Sequence, residues 1–421
     1  MSSEISSEVR SVMDALLADE RVKKALAFIE RDHGNRVEQQ KAIALVQGET
    51  GKEHLGRTPM YKKMLEEERL ADIEQDSMAN VYGRVYGSMG KGNGKYVHLD
   101  AHLDTVFLED TPLAITEKDG RIYCPGIGDD AGGLAVNVQI LRALRHAGLK
   151  TVGNLLVSGT AREESHGNFE GIRKLLADHG KDISVLLFVD GHSNNRCGWA
   201  FVGVRRAEFT FRGPGGHSWR KAGTPACIHA MGRALAEIAE FDLPSTPKTT
   251  VNIGVVNAGN SVGAIGAVAK VHMDMRSLNM GELNRLDAKV TAAMQKGVNR
   301  EGEYRGMPGE ITVERKSLGD IPAGTTDVKH PLIQAACAAT LAIGETYDLG
   351  LLPSAGCNHG CIATNMGIPT VSLGYGGVNG NNHALDENFD PTGAYKAAQK
   401  VLLVALAMAG LDGVTTPLAA V

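Results

Sequence analysis

The sequence predicts an α/β fold: a mostly parallel sheet covered by helices, with a smaller α+β domain inserted into it. Three observations carry that expectation. Over the first half of the chain, short apolar runs alternate with amphipathic helical segments, the mark of a parallel sheet buried on both faces. Near residue 205 the order becomes strand–helix–strand–strand–helix–strand, the split βαβ pattern of a ferredoxin-like domain. The first pattern then resumes near residue 318. A length of 421 residues suits two or three domains.

The elements follow in order. Residues 6–46 and 58–70 place apolar side chains three and four apart between charges and read as helices. Residues 79–85 and 96–103 read as strands between glycine-rich turns. Residues 131–145 form a helix stopped by Gly148. A strand over 155–160, a helix over 169–179 and a buried strand over 185–189 come next. In the insert, strands are expected over 206–211, 250–256, 268–275 and 311–315, with helices over 224–240 and 281–299. A helix over 330–343, a strand over 370–373 and a helix over 392–409 complete the outer domain. The expected division is 1–204 with 318–421, and 205–317 for the insert.

Composition narrows the function. Lys and Arg number 44 against 49 Asp and Glu, a net charge of −5, which argues against nucleic-acid binding as the main task. The first residues lack a basic stretch followed by an apolar one, so no signal peptide is read, and no apolar run reaches membrane-span length; the longest, 401–411, reads as a packed helix end. Six scattered cysteines, at 124, 197, 227, 337, 357 and 361, read as reduced thiols of a cytoplasmic protein. Glycine is in excess, 51 residues against a usual ~7%, which calls for many tight turns.

Five segments carry chemistry. In the strand holding His98, Asp100, His102 and, just beyond, Asp104, a period of two puts these polar residues on one face. Burying them is costly unless a metal or another partner satisfies them; a solvated strand end is the alternative. Asp129 and Asp130 precede a helix, where one can cap the N-terminus while the other points into a cleft. Glu163 and Glu164 follow a strand end, where an acidic pair is either surface or ligand site. Asp190 ends a buried strand, and His383 follows a glycine-rich run. Together these are the donors a divalent-metal hydrolase needs, and their oxygen and imidazole chemistry without thiolate suits Zn²⁺, Mn²⁺ or Co²⁺.

In order and context the segments resemble the M20 metallopeptidase family, the aminoacylase, carboxypeptidase G2 and peptidase T group. His102-Leu-Asp104 is similar to its HxD motif, Gly128-Asp129-Asp130-Ala-Gly-Gly to its DDKGG segment, and Arg162-Glu163-Glu164 to its EE pair. The resemblance spans essentially the whole chain. It implies a zinc-peptidase-type catalytic domain with an inserted lid that often dimerises, making a homodimer or higher homo-oligomer the expectation. It implies that His102 and Asp190 bind one ion, Glu164 and His383 a second, and that Asp129 bridges them, with one or two ions per subunit. Glu163 would be the general base, Asp104 the residue orienting His102, and His217 an oxyanion contact. Arg276 would hold a substrate carboxylate, and Asn358 would contact substrate.

The chain also departs from the family pattern. Ala131 stands where lysine is usual, Gly263 where asparagine is common, and Cys357-Asn358 where a Ser/Thr-Asp pair is usual. His166 and His192 flank two ligand segments. The implied activity is hydrolysis of a C–N bond, with a small peptide or N-acyl amino acid as substrate. An alternative is a deaminase acting on a non-peptide C–N bond, such as an amino group on an electron-poor ring. A non-catalytic binding protein on the same fold is a third reading, which the presence of Glu163 and all five ligand positions disfavours. No nucleic-acid or membrane partner is expected.

Overall fold

The parallel strands follow from their burial. Tyr96–His102, Asn154–Thr160, Ile183–Val189 and Thr370–Leu373 are almost continuously buried, which requires cover on both faces. In this computed structural model, which describes residues 5–350 and 355–421, these four lie side by side at the centre of a seven-stranded sheet, all parallel. The flanking strands Val81–Val85, Ala71–Gln75 and Cys197–Gly198 pair antiparallel. The sheet is thus parallel where it is buried and antiparallel at its edges.

The chain divides into two compact units, Met1–Phe201 with Thr325–Val421, and Val202–Gly324. In the first, the stretch read as helical over 6–46 is three helices, Ser7–Ala18, Glu20–Arg31 and His33–Ala44. Asp19 breaks the first from the second, its carboxylate accepting the amides of Arg21 and Val22. The next helix, Arg57–Glu67, stops short of 70 because Arg69 takes a positive φ of 62° and turns the chain into the unanticipated strand Ala71–Gln75. The helix Ala131–Ala147 ends at Gly148 in the left-handed conformation. It packs with Tyr395–Ala409 and the N-terminal helices against the sheet, around Leu99, Val136, Leu187, Val371 and Leu402. A small antiparallel sheet, Thr116–Lys118, Arg121–Tyr123, Val378–Gly380 and Asn388–Asp390, is also present. Its three-residue strands are too short for a periodicity signal, yet two of them frame the loop that carries His383.

The second unit is a four-stranded antiparallel sheet in the order Thr249–Ala258, Val268–Ser277, Gly203–Arg212, Thr312–Ile321. This is the strand order of the ferredoxin-like pattern. Its outer ladder runs from Val204–Ile321 to Arg212–Thr312, so the unit takes in strand ends that the apolar alternation alone left outside. Ala269, Val271, Met273 and Met275 alternate inward to meet the helices Cys227–Ala239 and Met280–Arg305. Among the described residues, no helix is long and apolar enough to cross a membrane.

Candidate functional site

The parallel strands deliver the site at their C-terminal ends, where open α/β sheets bind ligands. His102 ends its strand buried, with Nδ1 3.0 Å from the Asp104 carbonyl and 3.5 Å from the Asp104 carboxylate. Its Nε2 is 2.9 Å from Asp129 Oδ1. The other oxygen of Asp129 lies 3.2 Å from Nε2 of His383, which is also 3.0 Å from Glu164 Oε1. Asp129 therefore stands between two imidazoles, one on each oxygen. His383 is exposed and holds a φ of +66°.

The paired aspartates divide their work. Asp130 caps the following helix: one oxygen accepts the Gly133 amide at 3.0 Å and the other the His102 amide at 3.1 Å. Gly132 and Gly133 are required behind it, because a Cβ at 132 would meet the buried Tyr375 ring and one at 133 the Val189 carbonyl.

Buried carboxylates set both catalytic loops through backbone amides. Asp104 accepts the amides of Glu163 and Glu164 at 2.9 Å each, and the Thr50 hydroxyl at 2.9 Å. Glu53 accepts the amide of Arg162 at 3.0 Å. Glu387 accepts those of Gly126, Gly128 and Asp129 at 2.8, 3.0 and 3.2 Å. Glu53 and Glu387 have no role in the sequence reading. Glu387 lies four residues after a histidine that reading selected; nothing in the sequence marks Glu53.

Among the described residues, three sets of donors have ligand atoms within 4.8 Å of one another: His102, Asp130 and Asp190; His102, Glu163 and Glu164; and Asp129, Glu164 and His383. Burial pushes the carboxyls of Glu163, Glu164 and Asp190 up, with neighbouring carboxylates adding to the shift. Asp129 goes down despite burial, because His102 and His383 bond to it. Asp129 and Glu164 together raise His383 to about 10. Five acids thus crowd two imidazoles. Oxygen-rich donors with surplus negative charge and aligned ring nitrogens fit divalent cations.

The remaining sequence candidates are placed differently. His98 and Asp100 bond inside the protein: His98 Nε2 lies 2.7 Å from Ser158 Oγ, while its Nδ1 is buried without a hydrogen-bond partner among the described residues, and Asp100 accepts Ser158, Thr160 and, at 2.7 Å, His359 Nδ1. Asn358 is buried, its carbonyl accepting the Gly360 amide and its NH₂ donating to Ser372. Both polar ends of its amide serve the fold, not an open surface. His166 and His192 are exposed. His217 and Arg276 belong to the second unit. There His217 Nδ1 accepts the Trp219 amide at 3.2 Å, and Arg276 bonds to Asp274 through Nε at 2.7 Å and Nη2 at 3.3 Å.

The model of peptidase family M20/M25/M40 matches residues 98–407, from the strand of His102 to the last long helix. The chain belongs to this family. It is an M20 hydrolase acting on C–N bonds. Acetylornithine deacetylase of Shigella sonnei is 25% identical over 324 residues, covering 71% of this chain and 76% of that enzyme. A tripeptidase structure from Staphylococcus aureus superposes with a TM-score of 0.74 at 18% identity, over 88% of this chain and 97% of that one. The YXEP protein of Bacillus subtilis, described as a dinuclear metal-binding M20 peptidase, gives 0.64 at 18% identity over 90% and 98%. These superpositions show that this M20 chain has the fold of those enzymes.

Proposed function

We propose that this M20 enzyme hydrolyses the amide of a small peptide or N-acyl amino acid with two divalent ions. His102 and Asp190 would hold one, Glu164 and His383 the other, and Asp129 both. The observation that carries this reading is the position of Asp129, with each oxygen turned to a different imidazole. Bound divalent ions supply a water of lowered pKa and polarise the scissile carbonyl. Zn²⁺, Mn²⁺ and Co²⁺ all suit the donors.

The protein's own groups perform the proton work. Glu163 is kept basic enough to accept a proton by burial and by the acids around it. It takes the proton from the attacking water and returns it to the leaving nitrogen. Asp104 holds His102 in the tautomer that leaves Nε2 free to ligate. In the insert, the Trp219 amide donates to Nδ1 of His217, so the neutral ring carries its proton on Nε2. That N–H is the donor a developing oxyanion needs. The edge strand Thr249–Ala258, with Val255 and Val256 exposed, supports pairing of the insert with a second copy.

The test is Glu163→Gln. Turnover of an N-acyl amino acid is expected to fall by about 10²–10⁴-fold with metal content unchanged. Retained turnover would remove Glu163 from the reaction.

A further inference from the structure

The helix His33–Ala44 carries none of the metal-ligand candidates, yet it reaches the loops that do. His33, Arg36 and Gln40 fall three and four residues apart, so they share one face of the helix. Gln40 Nε2 donates to the Ile127 carbonyl at 2.6 Å, just before Gly128 and Asp129. Arg36 Nη1 donates to the Tyr375 carbonyl at 3.4 Å, at the head of the glycine-rich run that leads to His383. The same Nη1 donates to Gln40 Oε1 at 3.2 Å. The Ile127 carbonyl, Gln40, Arg36 and the Tyr375 carbonyl thus form one chain of hydrogen bonds between the two loops. His33 Nε2 lies 2.9 Å from the Pro391 carbonyl, just past the strand Asn388–Asp390.

Arg36 holds this place at a cost. Both Arg36 and Gln40 are fully buried. Among the described residues, Arg36 Nε and Nη2 have no hydrogen-bond partner, and no carboxylate offsets its charge. Burial pulls the guanidinium down to about 10. The Phe389 ring, 5.8 Å from Cζ, returns part of the lost solvation. A buried cation without an acid is a poor way to fill a core, where an apolar side chain of similar size packs as well. The two carbonyls are what Arg36 and Gln40 supply donors for. Glu387 grips the Asp129 loop from its amides, and Gln40 takes it by a carbonyl.

We propose that Arg36 and Gln40 are a positioning pair: in series they fix the separation of the Asp129 and His383 loops, and so the fit of the second ion. Each works through a backbone carbonyl and is no part of the donor cluster. His102 and Asp190 stand at the ends of the strands Tyr96–His102 and Ile183–Val189, to which this pair makes no bond among the described residues. The effect on the ion rests on the two-ion reading above; the tether does not.

The test begins on the metal-free full-length protein. Methionine at 36 or 40 keeps an unbranched side chain and removes the donors. Hydrogen exchange is followed at the amides of Gly126, Gly128 and Asp129, which Glu387 holds, and of Tyr375, which the Gly191 carbonyl holds at 2.9 Å. It is expected to quicken about tenfold in Arg36→Met and in Gln40→Met alike. The double variant should be no faster than either, because bonds in series fail at one link. Exchange at Glu163 and Glu164 should stay as in the wild type. A rise confined to the helix His33–Ala44, or additive effects in the double variant, would overturn the assignment. Arg36→Lys keeps a charged donor and should return exchange to within about threefold of the wild type; a rate equal to that of Arg36→Met would reject the donor role. Calorimetric titration of Zn²⁺ alone then separates this from the two-ion reading. In Arg36→Met the second equivalent should bind about tenfold more weakly or worse, and the first within about threefold. A wild type that takes up one equivalent fails the two-ion reading, while exchange still decides the tether. Two equivalents with unchanged loop exchange reject the tether and leave the two-ion reading in place.

Discussion

Two clusters of buried charge, one in each unit, are built on opposite terms. In the insert, Glu301 is fully buried and closed on all sides. Arg233 donates to it at 3.0 Å and Arg305 at 3.2 Å, His229 lies at 3.3 Å, and the Ala226 amide reaches it at 3.4 Å. One acid there meets three basic side chains. At the sheet edge, Asp129, Asp130, Glu163, Glu164 and Asp190 gather around His102 and His383, with Arg196 acting on Asp190. Arg57 behind them spends its guanidinium on the carbonyls of Val46 and Leu103. The first cluster is complete and serves the fold. The second is short of positive charge, and that deficit makes it a place for cations.

The comparison predicts opposite responses to losing one acid. Asp129→Asn is expected to cut turnover about a thousandfold or more, with loss of bound metal measured by elemental analysis. Asp190→Asn, stripped of metal, should unfold at the same denaturant concentration as the metal-free wild type or higher, because burial and the neighbouring Asp129 disfavour the Asp190 charge. A clear loss of metal-free stability would put the two clusters in one class. Divalent ions should stabilise the wild type by about 2.7 kcal/mol at a hundredfold excess over Kd, and Asp129→Asn hardly at all. Thermal melts with and without metal read this out.

Glu301→Gln should do the reverse. It is expected to cost about 2 kcal/mol in chemical denaturation, with metal content unchanged, since it strands two partly buried guanidinium groups. The smallest effect is in pH. Burial opposes ionisation of Glu301, but the bonds from Arg233, Ala226, Arg305 and His229 outweigh it and hold its carboxyl below the ordinary 4.5. A lowered carboxylate stabilises fully above its unfolded value, and that stabilisation is lost as pH falls through the folded one. The stability gap between wild type and Glu301→Gln should therefore close on acidification below about pH 4.5. A gap that persists there would mean the glutamate acts by shape and not by charge.

What the sequence made legible differs between levels. The parallel strands, the insert's strand order and the gathering of His102, Asp129 and Glu164 at strand ends could be read because buried strands and clustered polar donors each need particular residue types at particular spacings. Asp130's capping was legible for the same reason. Glu387 and Glu53 were not, since they act on backbone amides, which every sequence has, and any acid in reach could serve. The polar face of the His98 strand misled in part: two of its members found partners on neighbouring elements that period-two spacing cannot reveal.

Asp104 gives the reaction centre a single mechanical reference. One side chain sets the ring of His102 and the amides of both Glu163 and Glu164, so the proton carrier and the donors beside it shift together or not at all. Arg196 and Asn358 hang instead from the Ser372 hydroxyl on another strand. A change at Asp104 therefore reaches His102, Glu163 and Glu164 at once, while a change at Ser372 leaves those three bonds in place.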